Sequence, residues 1–337
     1  MHPFFHPTTL LVLDDDPYYV ESFKFHFGDQ FPCVSYTQPE RAIEHILSQE
    51  AQRPTLDSIA AQPGAGLRAH RGQTEPVIGG AEQILRMLGD SSRFRRVSVL
   101  VVDYDMPSMT GVQVCRALHH LPVRKLLLTG KAGVETAISA FNEGVIDTFL
   151  TKHDPEIEKT LPRQILRLQD EYFKTTTDGL AAALRREDIP FMTDPRVIES
   201  IDSLIKDRNV VEHYLMANPT GALLIDQSGA ALMLVVLDRE TLRSQWEVAR
   251  DNGAPNELLD VLASQRVIPL FPTSSGYFEK DVGSTWPRYL YPAQRIESDR
   301  VWYTTLVLAG QVPHIFPPRL TTFATFEEQQ LGRQQSN

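Results

Sequence analysis

The chain reads as an α/β protein, a doubly wound five-strand parallel sheet followed by a smaller C-terminal α+β domain. Three observations carry that reading. Short, wholly apolar runs alternate with segments of helical apolar spacing five times over. Several of those runs close on Asp, Thr or Lys, as strands do when they open onto a shared edge. Beyond Asp194 the alternation gives way to hairpins and separate helices.

The elements follow in order. "TLLVL" before the acids at Asp14 to Asp16 has the continuous apolar character of a strand buried on both faces. "YYVESFKFHF" predicts a helix through the spacing of Val20, Phe23 and Phe27. "FPCVSYT" is a second strand, and "PERAIEHILS" a second helix with Pro39 in its first turn. "SVLVVDYDMP" and "GVQVCRALHHL" form the third strand and helix, "VRKLLLTG" and "AGVETAISAFNEGV" the fourth pair, and "IDTFLTK" the fifth strand. An insertion at about 50–95 interrupts the alternation before the third strand, which places it at the end of the sheet away from ligands. After the fifth strand, Leu161, Ile165, Leu168 and Tyr172 make an apolar stripe. It predicts either a self-association seam or a helix packed on one of the domains. The domain plan is therefore 8–157, a helical linker and possible dimer seam at 158–190, an α+β domain at 191–325, and a polar tail at 326–337. In the α+β domain, "DPRVIESIDSLIKD" has an aspartate cap and a first-turn proline. "GALLIDQSGAALMLVVLD" reads as two strands joined at Asp226 to Gly229. "DRETLRSQWEVARDNGA" and "PNELLDVLASQ" read as helices, and "RVIPLFP" and "RVWYTTLVLAG" as strands.

Bulk properties narrow the function classes. The 337 residues are 42% hydrophobic and 23% charged, ordinary for a soluble globular protein, and the net charge is −10. An acidic body repels phosphate backbones, so nucleic acid is disfavoured as a partner. The stretch from 190 onward holds thirteen Lys and Arg against eighteen Asp and Glu, with no basic stripe for a recognition helix. Cys33 and Cys115 lie in apolar contexts and read as reduced core residues. "MHPFFHPTTL" lacks a basic start and a long apolar run, and no apolar stretch approaches spanning length. A cytoplasmic protein without a membrane partner is expected.

The strand ends carry the chemistry. In a sheet of flavodoxin-like order, the first strand lies beside the third, and the fourth and fifth follow. Asp14 and Asp15, Asp103, Thr129 and Lys152 then converge on one pocket. Taken singly, the acids at 14–16 suit a helix start, and Asp103 suits a turn. Taken together, crowded carboxylates need a cation, and Mg2+ suits oxygen ligands with a phosphate oxygen completing the set. Lys152 supplies a point charge for phosphate, and a central carboxylate is an established type of phosphoryl acceptor.

"DDDP" at Asp14 to Pro17, "DYDMPSMTG" at Asp103 to Gly111, "LLLTG" at Leu126 to Gly130 and "FLTK" at Phe149 to Lys152 resemble the receiver domain of two-component response regulators. The resemblance covers residues 8 to about 157. It implies that Asp103 is the phosphoacceptor. It also implies that Asp15 and Asp103 ligate Mg2+ directly, Asp14 through water and Asp105 through its backbone carbonyl. Thr129 and Lys152 would hold the phosphoryl group, with Phe149 as the aromatic that turns inward with Thr129. The implied donor is a sensor histidine kinase or a phosphotransfer protein. The chain departs from the family in having His153 where proline usually follows the lysine, and in its insertion. Asp105 and Lys131 stand at the two positions that tune loss of the phosphoryl group. No cyclase, phosphodiesterase or kinase signature follows, so no enzymatic activity beyond aspartyl phosphorylation and dephosphorylation is expected. The output is expected to work by protein interaction or dimerisation on an unidentified partner. The alternative is a small-molecule-binding or enzymatic domain, since "GALLIDQSGAALMLVV" faintly resembles the opening hairpin of PAS-like folds. The order of domains also resembles that of some quorum-sensing response regulators.

Overall fold

Leu10 to Leu13 and Val99 to Val102 are buried on both faces of their strands, which requires cover above and below. The computed structural model describes residues 1–51, 84, 87–130, 133–186, 189–316 and 319–334. Most of the insertion at about 50–95 lies outside these residues, as does Lys131. Strand β1 (Phe4–Phe5) belongs to the second of two compact units and is taken up with it.

The first unit runs from residue 7 to 179, less the segment given to the other. Its elements are β2 (Thr9–Leu13), α1 (Pro17–Phe27), β3 (Cys33–Tyr36), α2 (Pro39–Ala51), β4 (Val97–Asp103), α3 (Gly111–Ala117), β5 (Arg124–Thr129), α4 (Val134–Asn142), β6 (Thr148–Thr151) and, through residue 179, the long α5 (Ile157–Arg186). The five strands are parallel in the order β3-β2-β4-β5-β6, the doubly wound order expected. Two apolar cores sandwich the sheet. One gathers Leu11, Leu13, Ile46, Leu100, Val102 and Cys115. The other gathers Leu10, Val12, Phe23, Val99, Val101 and Leu126. The alternation of these strand residues between the two cores is the period-two pattern of a strand covered on both sides.

The stripe on α5 belongs to the second of those cores. Leu161, Ile165 and Leu168 are buried against Leu10, Val101 and Leu126. Of the two readings of the stripe, a self-association seam or a helix packed on one of the domains, the second describes Leu161, Ile165 and Leu168. Buried hydroxyls pin the same helix. Gln169 Nε2 donates to Thr8 Oγ1 at 3.2 Å, and Thr8 Oγ1 meets Ser98 Oγ at 2.6 Å. Both cysteines are free. Burial pushes the Cys115 thiol up to about 12, a chemically inert position.

The second unit is built on a six-strand antiparallel sheet in the order β1-β7-β8-β9-β13-β12. Its remaining elements are α6 (Pro195–Asp207), β7 (Val210–Ala217), β8 (Thr220–Asp226), β9 (Ala231–Asp238), α7 (Arg239–Asp251), α8 (Asn256–Ala263), β10 (Val267–Pro269), β11 (Leu290–Pro292), β12 (Gln294–Glu297), β13 (Val301–Leu308) and α9 (Phe323–Gln334). It recruits more than the C-terminal stretch expected at 191–325. Phe4 and Phe5 pair with Tyr214 and His213, and Ile84 and Leu88 are buried in its core with Tyr214, Leu223 and Trp302. The tail expected at 326–337 is helical through Gln334. Its first turn is anchored, with Phe326 buried and the Phe323 N–H donating to Glu212 Oε1 at 2.6 Å. Residues 335–337 lie outside the described set.

Two buried carboxylates of this unit, those of Asp194 and Glu212, have several partners each. Asp194 caps α6 by accepting from Arg196 and Val197 N–H groups, as its position before Pro195 predicts. It also accepts from the Trp302 indole at 2.7 Å and from Ser298 Oγ. Burial would raise this carboxyl, but the bonds from Ser298, Trp302 and the helix backbone outweigh it and hold it below its usual range. Glu212 is fully buried and accepts from Tyr214 Oη at 2.7 Å.

His213 has a pH consequence. Its ring stacks on Phe5, and its Nε2–H donates to the His2 carbonyl at 3.2 Å. Burial pulls the imidazole down to about 4. In the unfolded chain the same group titrates near ~6.5, so between these values the unfolded state binds more protons. Stability should therefore rise with pH through this window and be lost as pH falls. The expected loss from this group is about 2 kcal/mol between roughly pH 7 and pH 5. His213→Phe keeps the stack and should flatten that part of the slope in urea titrations. An unchanged slope would remove His213 as its cause.

Candidate phosphoryl-transfer site

Strand register assembles the site. Leu13 pairs with Val102, so the residues just beyond them, Asp14 and Asp103, emerge side by side. Asp103 pairs with Leu128, which sets Thr129 one step further out on β5. Thr129 pairs with Thr151, and the Lys152 N–H donates to the Thr129 carbonyl at 2.9 Å, which sets Lys152 at the same edge. The carboxylates of Asp14, Asp15 and Asp103 offer oxygens that all lie within 4.8 Å of one another. Lys152 Nζ bridges two of them, 2.6 Å from Asp14 Oδ2 and 2.8 Å from Asp103 Oδ1.

The three acids at 14–16 divide their labour. Asp16 caps α1, its carboxylate accepting from the Tyr18 N–H at 2.9 Å, so the helix-start reading holds for this residue. Asp14 is 2% exposed and faces Lys152, whereas Asp15 is exposed at the mouth. Asp103 is 6% exposed, with the Lys152 ammonium 2.8 Å from its Oδ1. Two buried carboxylates share one ammonium, and the charges do not balance. Burial pushes the Asp14 carboxyl up from its ordinary value, against the pull of Lys152. Burial would lower the Lys152 ammonium, but its hydrogen bonds to Asp103 and Asp14 more than offset this and hold it above its usual value. The site retains surplus negative charge and oxygen donors, the composition a hard divalent cation requires.

The other expected residues fall nearby in different states. The Asp105 N–H donates to Asp103 Oδ2 at 3.2 Å, so the turn that carries Asp105 is tied to the central carboxylate. Thr129 is fully buried, and its hydroxyl donates to the Gly130 carbonyl at 3.0 Å. Phe149 is half-buried and packs against the core that holds Leu13 and Val102. His153 is exposed, and the peptide joining it to Lys152 is trans.

Three residues had no role in the sequence reading. Gly111 lies against the backbone of the central residue, since a Cβ there would sit 2.2 Å from the Asp103 carbonyl oxygen. Gly133 is pressed between Thr129 and Tyr104, where a Cβ would meet Thr129 Oγ1 at 2.2 Å and the tyrosine ring at 2.7 Å. Tyr19 places its ring centroid 4.4 Å from Lys152 Nζ. Its signal was present, because Tyr19, Phe23 and Phe27 recur every four residues on one face of α1.

No protein-family model matches the chain, and no curated protein does. Among solved structures, the Legionella pneumophila response regulator LqsR aligns over 98% of this chain and 96% of its own, at 25% identity and a TM-score of 0.74. The first unit has the fold of a response-regulator receiver domain. The likeness to LqsR also takes in the second unit, which the sequence reading left without a family. Two shorter structures align with about half the chain. One is an adenylate cyclase from Rhodopirellula baltica, with 51% of this chain covered and 95% of its own, 20% identity and a TM-score of 0.34. The other is a receiver-domain protein from Clostridium thermocellum, with 50% and 96% covered, 14% identity and a TM-score of 0.30. Scores this low carry no argument about function. Among the described residues, no helix of the receiver unit or its companion is long and apolar enough to cross a membrane.

Proposed function

We propose that this chain is a two-component response regulator that accepts a phosphoryl group on Asp103 from a sensor histidine kinase or a phosphotransfer protein. The observation that carries the reading is the Lys152 ammonium within 2.8 Å of both Asp14 and Asp103, with Asp15 open at the same strand ends. The likeness to a response regulator along nearly the whole chain supports it.

In the transfer, a carboxylate oxygen of Asp103 forms the new bond to phosphorus. The donor's bond to phosphorus breaks, and its electron pair leaves with the donor, so nothing is oxidised or reduced. Asp15 and Asp103 would ligate Mg2+, with Asp14 acting through water and the Asp105 carbonyl completing the set. The bound ion would offset the charge gathered on the phosphoryl oxygens. Lys152, released from Asp14 as that charge arrives, would pair with a phosphoryl oxygen as a mobile point charge. Thr129 would turn its hydroxyl from the Gly130 carbonyl toward the new acceptor oxygens, and Phe149 would move into the space vacated. The second unit would then act through protein contacts, since its acidic balance argues against nucleic acid. Beyond making and losing the aspartyl phosphate, we propose no catalysis.

The test is intact-mass measurement after incubation with a small phosphodonor and Mg2+. The wild-type chain is expected to gain one phosphoryl group, which a chelator prevents, and Asp103→Asn is expected to gain none. Equal labelling of both proteins, or none of the wild type, would overturn the assignment.

A further inference from the structure

A lysine at the mouth of such a site has a difficulty that its two ion pairs do not solve. Its stem has four rotatable carbons, and its ammonium is a strongly hydrated point charge. Asp14 and Asp103 hold it only while both are free anions. Once either carboxylate is taken by a cation, or Asp103 becomes an acyl phosphate, that hold weakens at the stage when the ammonium must face the phosphoryl group. A partner that is neither titrated nor consumed would keep it in place.

Tyr19 has these properties. It lies in the first turn of α1, behind the Asp16 cap and Pro17, which fix how that turn leaves the strand. Its ring packs against the core of Leu10, Val12 and Phe23, so its position is set by the fold and not by the lysine. The face of the ring lies 4.4 Å from Lys152 Nζ, well inside the range over which a ring quadrupole attracts a cation. The ammonium thus meets carboxylates at 2.6 and 2.8 Å and the aromatic face at 4.4 Å.

We propose that Tyr19 is a positioning residue for phosphoryl transfer, holding the Lys152 ammonium at the pocket mouth through the face of its ring. Burial pushes the Tyr19 phenol up to about 12, with Lys152 pulling it down and the two aspartates pushing it up, so the ring acts as a neutral aromatic. The attraction therefore persists through the reaction, while the carboxylate partners change. This role rests on Asp103 being the phosphoacceptor.

The test separates ring electrostatics from ring packing. Tyr19→Phe keeps the aromatic face and is expected to retain most of the phosphorylation rate with a small phosphodonor and Mg2+. Mono-, di- and trifluorophenylalanine at position 19 change the volume little but drain the face of charge stepwise. The rate should fall with each fluorine while the melting midpoint holds. Tyr19→Leu should slow transfer by about tenfold. A flat fluorination series overturns the proposal. NMR of the Lys152 side chain gives a readout independent of transfer. Its methylene protons should show a ring-current shift in the wild-type chain that disappears in Tyr19→Leu, and no such shift would also overturn it. If the wild-type chain takes no phosphoryl group at all, the phosphoacceptor reading fails and the positioning role falls with it. An intact ring-current shift in that case identifies the chemistry, and not the placement of Lys152, as the error.

Discussion

A fragment comprising residues 190–337 is expected not to fold on its own, although it holds most of the six-strand sheet. It lacks Ile84 and Leu88, which are 1% and 0% exposed in the core of that unit. It also lacks β1, which pairs with β7 through Phe4 and Phe5, and the Pro3 carbonyl that accepts from the Leu215 N–H at 2.8 Å. The Leu88 carbonyl that accepts from the Thr321 N–H at 2.9 Å is missing as well. Removing a fully buried aliphatic side chain costs about 2–5 kcal/mol, so two such losses and an unpaired strand approach the roughly 5–15 kcal/mol that holds a typical domain together. The expected result is a fragment with no cooperative thermal transition and no fixed near-ultraviolet signal, beside a full chain that has both. A cooperative melt of the fragment would show that these N-terminal segments are ornaments of the fold. The same arrangement means that the receiver unit is interleaved in sequence with the other, and that neither unit is a contiguous stretch of chain.

That interleaving was the part of the fold least visible in the sequence, and the reasons are physical. The inner strands β2 and β4 of the receiver unit announce themselves because parallel strands buried on both faces are apolar almost throughout, while the half-buried edge strands β3 and β6 are carried by the alternation with helices. Strand β7, "VVEHYLMA", carries Glu212 and His213 in its middle and so fails that pattern. Both are buried because partners from distant segments satisfy them, the Phe323 N–H for one and the His2 carbonyl for the other. A two-residue strand such as Phe4–Phe5 has no periodicity to detect. The stripe on α5 was visible, but a stripe states only that a face needs cover. Leu161, Ile165 and Leu168 found theirs on the sheet of the same unit.

The site was more legible than the fold around it. Its charged members stand at strand ends, and the order of the sheet is enough to bring Asp14, Asp103, Thr129 and Lys152 to one edge. What escaped notice was the set of residues that act by shape or from a neighbouring helix. Tyr19 lies on α1 and reaches Lys152 only in three dimensions. Gly133 looks like ordinary loop glycine until the crowding of Thr129 and Tyr104 is seen. Gly111 closes the segment after Asp103 for a steric reason that only the packed backbone shows.

Gly111→Ala is accordingly expected to damage both stability and phosphoryl acceptance. Gly111 opens α3, and its N–H donates to the Tyr104 carbonyl at 3.0 Å, closing the turn that follows Asp103. A methyl group there would meet the Asp103 carbonyl oxygen at 2.2 Å, the carbon of the same carbonyl at 3.0 Å and Leu127 Cδ1 at 2.8 Å. The leucine can rotate away. The carbonyl cannot, because Asp103 is held in register with Leu128 and the adjoining Tyr104 N–H donates to the Leu128 carbonyl at 2.8 Å. Relief must come from moving the start of α3 or the end of β4. Overpacking against fixed backbone should cost about 3 kcal/mol or more in urea denaturation. Any movement of β4 also carries the Asp103 carboxylate away from Lys152 and Asp14, so phosphorylation by a small donor should fall even at temperatures where the variant remains folded. Gly111→Ser, with the same Cβ, should behave alike. Retained stability and an unchanged phosphorylation rate in both variants would mean that α3 can retreat freely, and that the close approach of Gly111 does not hold Asp103 in place.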